Sequence, residues 1–141
     1  MKVFRSFSRP LLCSALLAAC ACASAANVEV RVTGVVAGKG KVAVAVCDKD
    51  TFLKDCKYSA KAPAREGENV ITVKEVPAGT WAVLSYQDEN DNGELDRNIV
   101  GIPKENYGFS RDARGQFGPP SFEEAAFTVN GDTAHAAIRL R

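Results

Sequence analysis

The chain has one histidine, His135, one tryptophan and one methionine in 141 residues. A single imidazole excludes a metal centre built from several histidines and leaves a Ser-His-Asp triad only His135 to use. Neither Gly-x-Ser-x-Gly nor His-Glu-x-x-His occurs, so two common hydrolase signatures are missing. Charge of one sign is missing too. Eighteen Lys and Arg against seventeen Asp and Glu leave a formal net charge of +1, and no run of basic residues offers a grip on nucleic acid. No apolar run is long enough to span a bilayer, so no transmembrane segment is expected. Beyond residue 26 no apolar stripe recurs at helical spacing. The whole chain is 46% hydrophobic and 25% charged, the composition of one globular domain.

The start of the chain reads as an address. Lys2, Arg5 and Arg9 precede an apolar run from Leu11 to Ala19, and small residues follow from Ala21 to Ala26. That order is the plan of a secretory leader over residues 1–26, with one domain over 27–141. Ala23-Ser24-Ala25 fits cleavage before Ala26, and Ser24-Ala25-Ala26 fits cleavage before Asn27. Leu17-Ala18-Ala19-Cys20 also matches a bacterial lipobox, which would make Cys20 a lipid-anchored first residue. Ala21 rather than Asp after it would send such a lipoprotein to the outer membrane. The expected location is periplasmic or secreted, with the outer-membrane lipoprotein as the alternative. Loss of the leader removes three positive charges and takes the formal charge from +1 to −2. It leaves two cysteines, Cys47 and Cys56, and an exported chain with two cysteines predicts one disulfide rather than two free thiols.

The rest of the chain alternates. Val28, Val30 and Val32 interleave with Glu29, Arg31 and Thr33, the period of a half-buried strand. Val42, Val44 and Val46 interleave with Ala43, Ala45 and Cys47, so the second strand is apolar on both faces and central. Residues 48–67 read as a connection plugged by Phe52, Leu53 and Tyr58. Further strands are expected at Asn69 to Val76, Trp81 to Gln87, Ala125 to Val129 and Thr133 to Leu140. Pro77-Ala78-Gly79-Thr80 is read as a tight turn and Asn130-Gly131-Asp132 as a hairpin turn. The expected fold is all-β, an antiparallel β-sandwich of about seven strands with one long irregular loop between Asp88 and Glu124. Its expected core includes Val42, Val44, Val46, Ile71, Val73, Leu84, Phe127 and Ile138. A loop of that length inside a small domain is usually functional.

The loop opens with Asp88, Asn90, Asn92, Gly93, Glu94 and Asp96. Oxygen-bearing side chains at alternate positions converge when the backbone wraps, and Gly93 permits the sharp turn. The spacing matches the first nine positions of an EF-hand calcium loop. Asp88, Asn90 and Asn92 would be side-chain ligands, Glu94 would offer its carbonyl, and Asp96 would bind directly or through water. The twelfth position is Ile99, so the bidentate glutamate of that loop is absent and a remote carboxylate such as Glu105 would have to complete it. The alternative is an Asx-rich turn held by its own hydrogen bonds. Calcium is the expected ion, bound weakly.

These residues also carry a likeness. The run Pro77-Ala78-Gly79-Thr80-Trp81-Ala82-Val83 leading into Asp88–Asp96 resembles an uncharacterised family of exported bacterial proteins, domain of unknown function family 2141. Gly101-Ile102-Pro103-Lys104-Glu105, Tyr107-Gly108-Phe109-Ser110 and Gly118-Pro119-Pro120-Ser121-Phe122-Glu123-Glu124-Ala125 are similar to the family's later motifs. The resemblance covers most of residues 28–140. It implies a small periplasmic or secreted β-sandwich similar to prealbumin-like and carboxypeptidase regulatory-like domains, and it implies no reaction. The Cys47/Cys56 pair stands outside the family's pattern.

Tyr107, Phe109, Phe117 and Phe122 fall within the irregular stretch. They either staple the loop to the sandwich or present a ligand surface for a glycan, a peptide or a partner protein. Three function classes follow. The leading one is a noncatalytic exported sandwich with a structural calcium loop, binding a partner at the cell envelope. The others are a carbohydrate-binding module using the loop aromatics and a metal-assisted periplasmic hydrolase. Such a hydrolase would have to draw its carboxylates from Asp88, Asp96, Glu105, Glu123 or Glu124.

Overall fold

The structure is a computed structural model that describes residues 24–141; most of the leader expected over residues 1–26, with the lipobox reading at Cys20, lies outside the described residues. Among the described residues eight strands follow one another: β1 (Ala25–Thr33), β2 (Lys41–Cys47), β3 (Tyr58–Pro63), β4 (Asn69–Pro77), β5 (Gly79–Asp88), β6 (Tyr107–Phe109), β7 (Phe127–Val129) and β8 (Thr133–Arg139). They form two sheets. One has the order β4-β1-β8; the other has the order β3-β2-β5-β6, with β7 also paired to β5. The chain is an all-β sandwich, as its alternating pattern predicts.

The space between the sheets is filled mainly by valine. Val28, Val30 and Val32 of β1 face Val42, Val44 and Val46 of β2, and all six are buried. Ile71, Val73, Val76, Val83, Ala136 and Ile138 complete this core, and Trp81 packs edge-on against Tyr58 at its margin. In β4 the alternation slips by one residue. Val28 pairs with Val73 but Ala26 pairs with Val76, and Glu75 takes a positive φ of 60°. This β-bulge keeps Val76 inside and turns Glu75 outward.

The second sheet is covered on its other face as well. Ala43, Cys47 and Ala82 point away from the core, yet are buried. A second apolar cluster lies there, made by Phe52, Phe109 and Ala125 with Leu84, Tyr107 and Phe122 packed against it. Phe52 meets Phe109 at 5.9 Å and Phe122 at 5.7 Å between ring centroids, both tilted or edge-on. Cys47 is bonded to Cys56, with Cα atoms 4.8 Å apart, and this link ties the Phe52 loop down over the sheet.

β6 and β7 share one edge of β5 in succession. β6 pairs with Leu84–Tyr86 and β7 with Gly79–Trp81. Val83 lies in the gap, and its amide donates instead to Ser110 Oγ at 2.9 Å. Ser110 Oγ in turn donates to the Ala125 carbonyl at 2.6 Å. A buried amide must find a partner, and here a hydroxyl replaces the missing strand. Gln87, fully buried, does similar work for the β1–β2 turn. Its Nε2 donates to the Val36 and Lys39 carbonyls, both at 2.7 Å, and its Oε1 accepts from the Val36 amide.

Several expectations are corrected. The sandwich is not wholly antiparallel, because the first and last strands, β1 and β8, pair in parallel; strands separated by the whole domain need no hairpin between them. Asn130–Asp132 is not a hairpin turn. β7 belongs to β5 and β8 to β1, so this corner carries the chain between sheets. The 48–67 connection contains β3, and the long loop contains β6, the 3-10 turn Ser110–Asp112 and the helical turn α1 (Phe122–Ala125). Leu84 faces the second cluster rather than the core, Phe127 is half-buried against the core, and Leu53 is exposed.

The disulfide closes a short loop, and the chain-entropy relation gives such a link roughly 2–3 kcal/mol. Urea denaturation of Cys47→Ala/Cys56→Ala should show a loss of that size with strand content intact. An unchanged midpoint would mean that the aromatic cluster holds the Phe52 loop unaided.

Candidate functional site

β5 runs directly into the acidic loop, and its last residue, Asp88, is fully buried. Asp88 Oδ1 accepts from the Asn92 amide at 3.0 Å and Oδ2 from the Gly93 amide at 2.7 Å. The backbone can fold back this tightly because Asp91 and Gly93 adopt φ of 55° and 85°, a region that glycine enters at little cost. Asn90 Oδ1 accepts from the Asn92 amide and Asn92 Oδ1 from the Glu94 amide, successive Asx turns. The two side-chain amides then converge on one carboxylate. Asn90 Nδ2 donates to Asp96 Oδ2 at 2.7 Å, and Asn92 Nδ2 donates to Asp96 Oδ1 at 2.9 Å.

Glu105, 7% exposed, closes the turn from behind. Its Oε1 accepts from the Glu89 amide at 2.9 Å and its Oε2 from the Asp96 amide at 3.0 Å. The Lys104 amide donates to the Asp96 carbonyl at 2.8 Å, so the chain returns alongside itself. The Tyr86 hydroxyl donates to the Gly93 carbonyl at 3.0 Å. Asp88, Asn90, Asn92 and Asp96 are thus gathered into one hydrogen-bonded turn, with Glu94 at its apex. Among the described residues, no three His, Cys, Asp or Glu side chains group closely enough to hold a metal. Asp88, Asp96 and Glu105 are each held by the N–H groups they bind. The nearby ammonium groups sit at the rim. Lys41 Nζ pairs with Asp91 at 2.8 Å and Lys39 with Glu89 at 3.8 Å.

Tyr86 senses this concentration of carboxylates. Burial raises the pKa of its phenol above the ordinary 10.0, and the charges of Asp88, Glu105 and Glu94 raise it further.

Beyond the turn, residues 97–103 form a small hairpin bridged at Arg97 and Pro103. Val100 and Ile102 stand on it 71% and 60% exposed. With Leu53 and the fully exposed Phe117 they rim a groove of about 670 Å³ over the outer face of β5 and β6, with Leu84, Tyr86 and Tyr107 in its lining. The four aromatics of the predicted ligand surface therefore separate. Phe109 is buried, Phe122 and Tyr107 are half-buried, and only Phe117 stands free.

The carboxylates considered for hydrolysis are dispersed. Asp88, Asp96 and Glu105 hold the turn. Glu123 pairs with Lys49 at 2.6 Å. Glu124 accepts from the Ser121 amide at 2.7 Å in a capping box that starts α1. None of the five lines the groove.

The turn, its Glu105 closure and the Tyr107–Ser110 return span the motifs quoted above in one continuous fold. The chain belongs to the family of uncharacterized proteins conserved in bacteria, DUF2141. The match covers residues 30–137, which takes in β2 to β7, the end of β1, most of β8, the turn and the groove. No curated protein and no solved structure matches the chain. In this DUF2141 protein three functional features escape a reading of the sequence. The Ser121-x-x-Glu124 spacing is a capping-box signature and could have been found. Ser110 filling a ladder gap, and the gathering of Leu53, Val100, Ile102 and Phe117 on one rim, leave no local signal.

Glu105→Gln puts an amide NH₂ against one of two backbone donors and should cost about 1–3 kcal/mol. It also removes a negative charge from beside Tyr86. Because the neutral phenol is favoured in the folded chain, the stability it contributes is complete below pH 10. That stability is lost as pH rises through the raised folded value. Ultraviolet titration should show the Tyr86 transition moving down in Glu105→Gln; no movement would mean that the carboxylate does not act on the phenol.

Proposed function

We propose that the protein is a noncatalytic, exported binding protein of the bacterial envelope, and that its acidic turn takes calcium as a structural ion. The observation that carries the ion is the donor set. Asp88, Asn90, Asn92, Asp96 and the Glu94 carbonyl offer only hard oxygen, the ligand type calcium requires. They occur in one turn whose backbone is already wound. Two carboxylates of this turn, Asp88 and Glu105, are buried with no cationic side chain bound to either among the described residues. A cation there would offset the cost of burying their charge. Asp96 would release the Asn90 and Asn92 amides to join the shell, and this exchange keeps the site weak, with a dissociation constant on the order of 10⁻⁴–10⁻³ M as in extracellular modules.

Export is supported by the composition of residues 1–26 and by the Cys47–Cys56 bond, which persists in an oxidising compartment. Ala26 is buried and pairs with Val76. Cleavage before Asn27 would remove that pair, so cleavage before Ala26, or before Cys20, suits the fold better. The partner-binding role rests on the exposed apolar rim rather than on the turn, since patches of this kind mark interaction sites.

Thermal melting tests the ion. At ten times the dissociation constant, calcium that binds only the folded chain adds about 1.4 kcal/mol, which is about 5 °C for a domain of this size. The midpoint should rise with 10 mM calcium over chelator, should not rise with magnesium, and should stay put in Asp96→Asn. A wild-type midpoint indifferent to calcium would make the turn a purely hydrogen-bonded one.

A further inference from the structure

The groove has a neighbour. A smaller cavity of about 220 Å³ adjoins it, and the two share Tyr107, Gly108, Phe109, Gly115, Gly118 and Pro119 as common lining. The two ends differ in chemistry. The large groove is rimmed by Leu53, Val100, Ile102 and Phe117, four of the seven large apolar side chains that the described residues leave exposed. Its two cations are already engaged: Arg97 donates to the Gly101 carbonyl at 3.0 Å and Lys54 to the Asp50 carbonyl at 3.1 Å. The small cavity is lined by Arg114, Arg139 and Arg141 against a single acid, Asp112. Arg141 and Arg114 share that carboxylate at 3.0 and 3.6 Å. The Arg139 side chain is exposed and makes no hydrogen bond or ion pair among the described residues. Its strand, β8, is brought beside β6 because Gly108 has no side chain: a Cβ there would stand 2.6 Å from the Arg139 carbonyl.

An occupant must match both ends. A peptide strand would need backbone partners, but the edge of β6 is spent. The Tyr107 amide donates to the Arg141 carbonyl, and the Arg141 amide donates to the Tyr107 carbonyl, both at 3.1 Å. With Tyr107 at this edge already paired to Arg141, addition of a β-strand beside the groove is closed off, and a peptide laid in the apolar groove would bury unpaired amides. A hydrocarbon chain has no such groups to satisfy. The groove's size falls within the usual range for a small-ligand site, and the guanidinium groups suit an anionic head. We propose that this face binds a single-chain amphiphilic anion, a long-chain carboxylate, with its chain in the groove under Phe117 and its head among Arg114, Arg139 and Arg141. The proposal rests on reading the chain as a binding protein. It gives that role a ligand class independent of the ion, so a calcium-shifted midpoint without carboxylate binding would separate the two.

Isothermal titration of the purified protein with dodecanoate, below its micellar concentration, is the test. Dodecanoate should bind at one site, while dodecanol and acetate each bind at least tenfold more weakly. Arg139→Gln should lose about tenfold for dodecanoate, the worth of one charge-assisted hydrogen bond, and should leave dodecanol unchanged. Val100→Ser/Phe117→Ser should weaken both ligands. All three side chains are exposed, so the variants keep the fold, which circular dichroism would verify. Equal binding of dodecanoate and dodecanol, or no binding of either, would overturn the proposal. Co-sedimentation with phosphatidylglycerol vesicles in the absence of dodecanoate binding would overturn it in favour of a membrane-docking face.

Discussion

The outer face of the five-stranded sheet cannot be left in water. β2 and β5 carry Ala43, Ala45 and Cys47 beside Ala82 and Leu84 on the side away from the valine core, so the sheet is apolar on both faces. Only three strands are available for the opposing layer, and they are spent on the core side. The cover must come from connections. The Phe52 loop, held by the Cys47–Cys56 bond, takes one part of the face, and the segment from Phe109 to Ala125 takes another. Burying several aromatic and aliphatic side chains in this way contributes roughly 1.5–3 kcal/mol each, enough to order a stretch with little regular secondary structure.

The acidic turn follows from the same constraint. The chain leaves β5 at Asp88 and comes back at Tyr107 to pair with Tyr86, two residues from where it left. An excursion whose ends lie so close must be closed by something. Valine cannot do it at the mouth of a sheet, where backbone amides point into the gap. Carboxylates can, because each accepts two N–H groups. Asp88 holds the first turn and Glu105 ties the start of the excursion to its middle, while Asp96 collects the side-chain amides of Asn90 and Asn92. The closure concentrates negative charge at one place, and this is why the same residues suit a cation. It also fixes Leu95 and the 97–103 hairpin, which form one wall of the groove. Turn and groove are therefore one mechanical unit.

Much of this was legible from the residues alone. The valines of β1 and β2 announced both the sandwich and the double-sided burial of its centre. The alternating oxygens from Asp88 to Asp96 suit a calcium loop or, as the alternative, an Asx-rich turn, and the hydrogen bonds present are those of the turn; the two cysteines announced their pairing. What stayed hidden has physical causes. β3 alternates through Ala60 and Ala62, a residue with little strand preference, so its pattern is weak. β6 is three residues long and owes its existence to the edge of β5. The parallel pairing of β1 with β8 joins strands too distant for any local signal. The Asn130–Asp132 corner looks like a hairpin because its chemistry is that of a tight turn, and only the sheet assignment of its flanks decides otherwise. The apolar rim draws on three separate loops, so no window of sequence contains it.

The carboxylates of Asp88 and Glu105 close the turn by themselves, and a calcium ion bound as proposed would stiffen a structure already formed. Amide hydrogen exchange at Glu89, Gly93 and Asp96 reads this directly, since these amides donate to Glu105 and Asp88. In chelator they should be protected well above the level of an unstructured loop, and millimolar calcium should raise protection from Gly93 through Lys104 without changing that of the valine core. Exchange in chelator at the rate of an open chain, with protection appearing only when calcium is added, would contradict it. In that case the turn would be made by the ion rather than by Asp88 and Glu105.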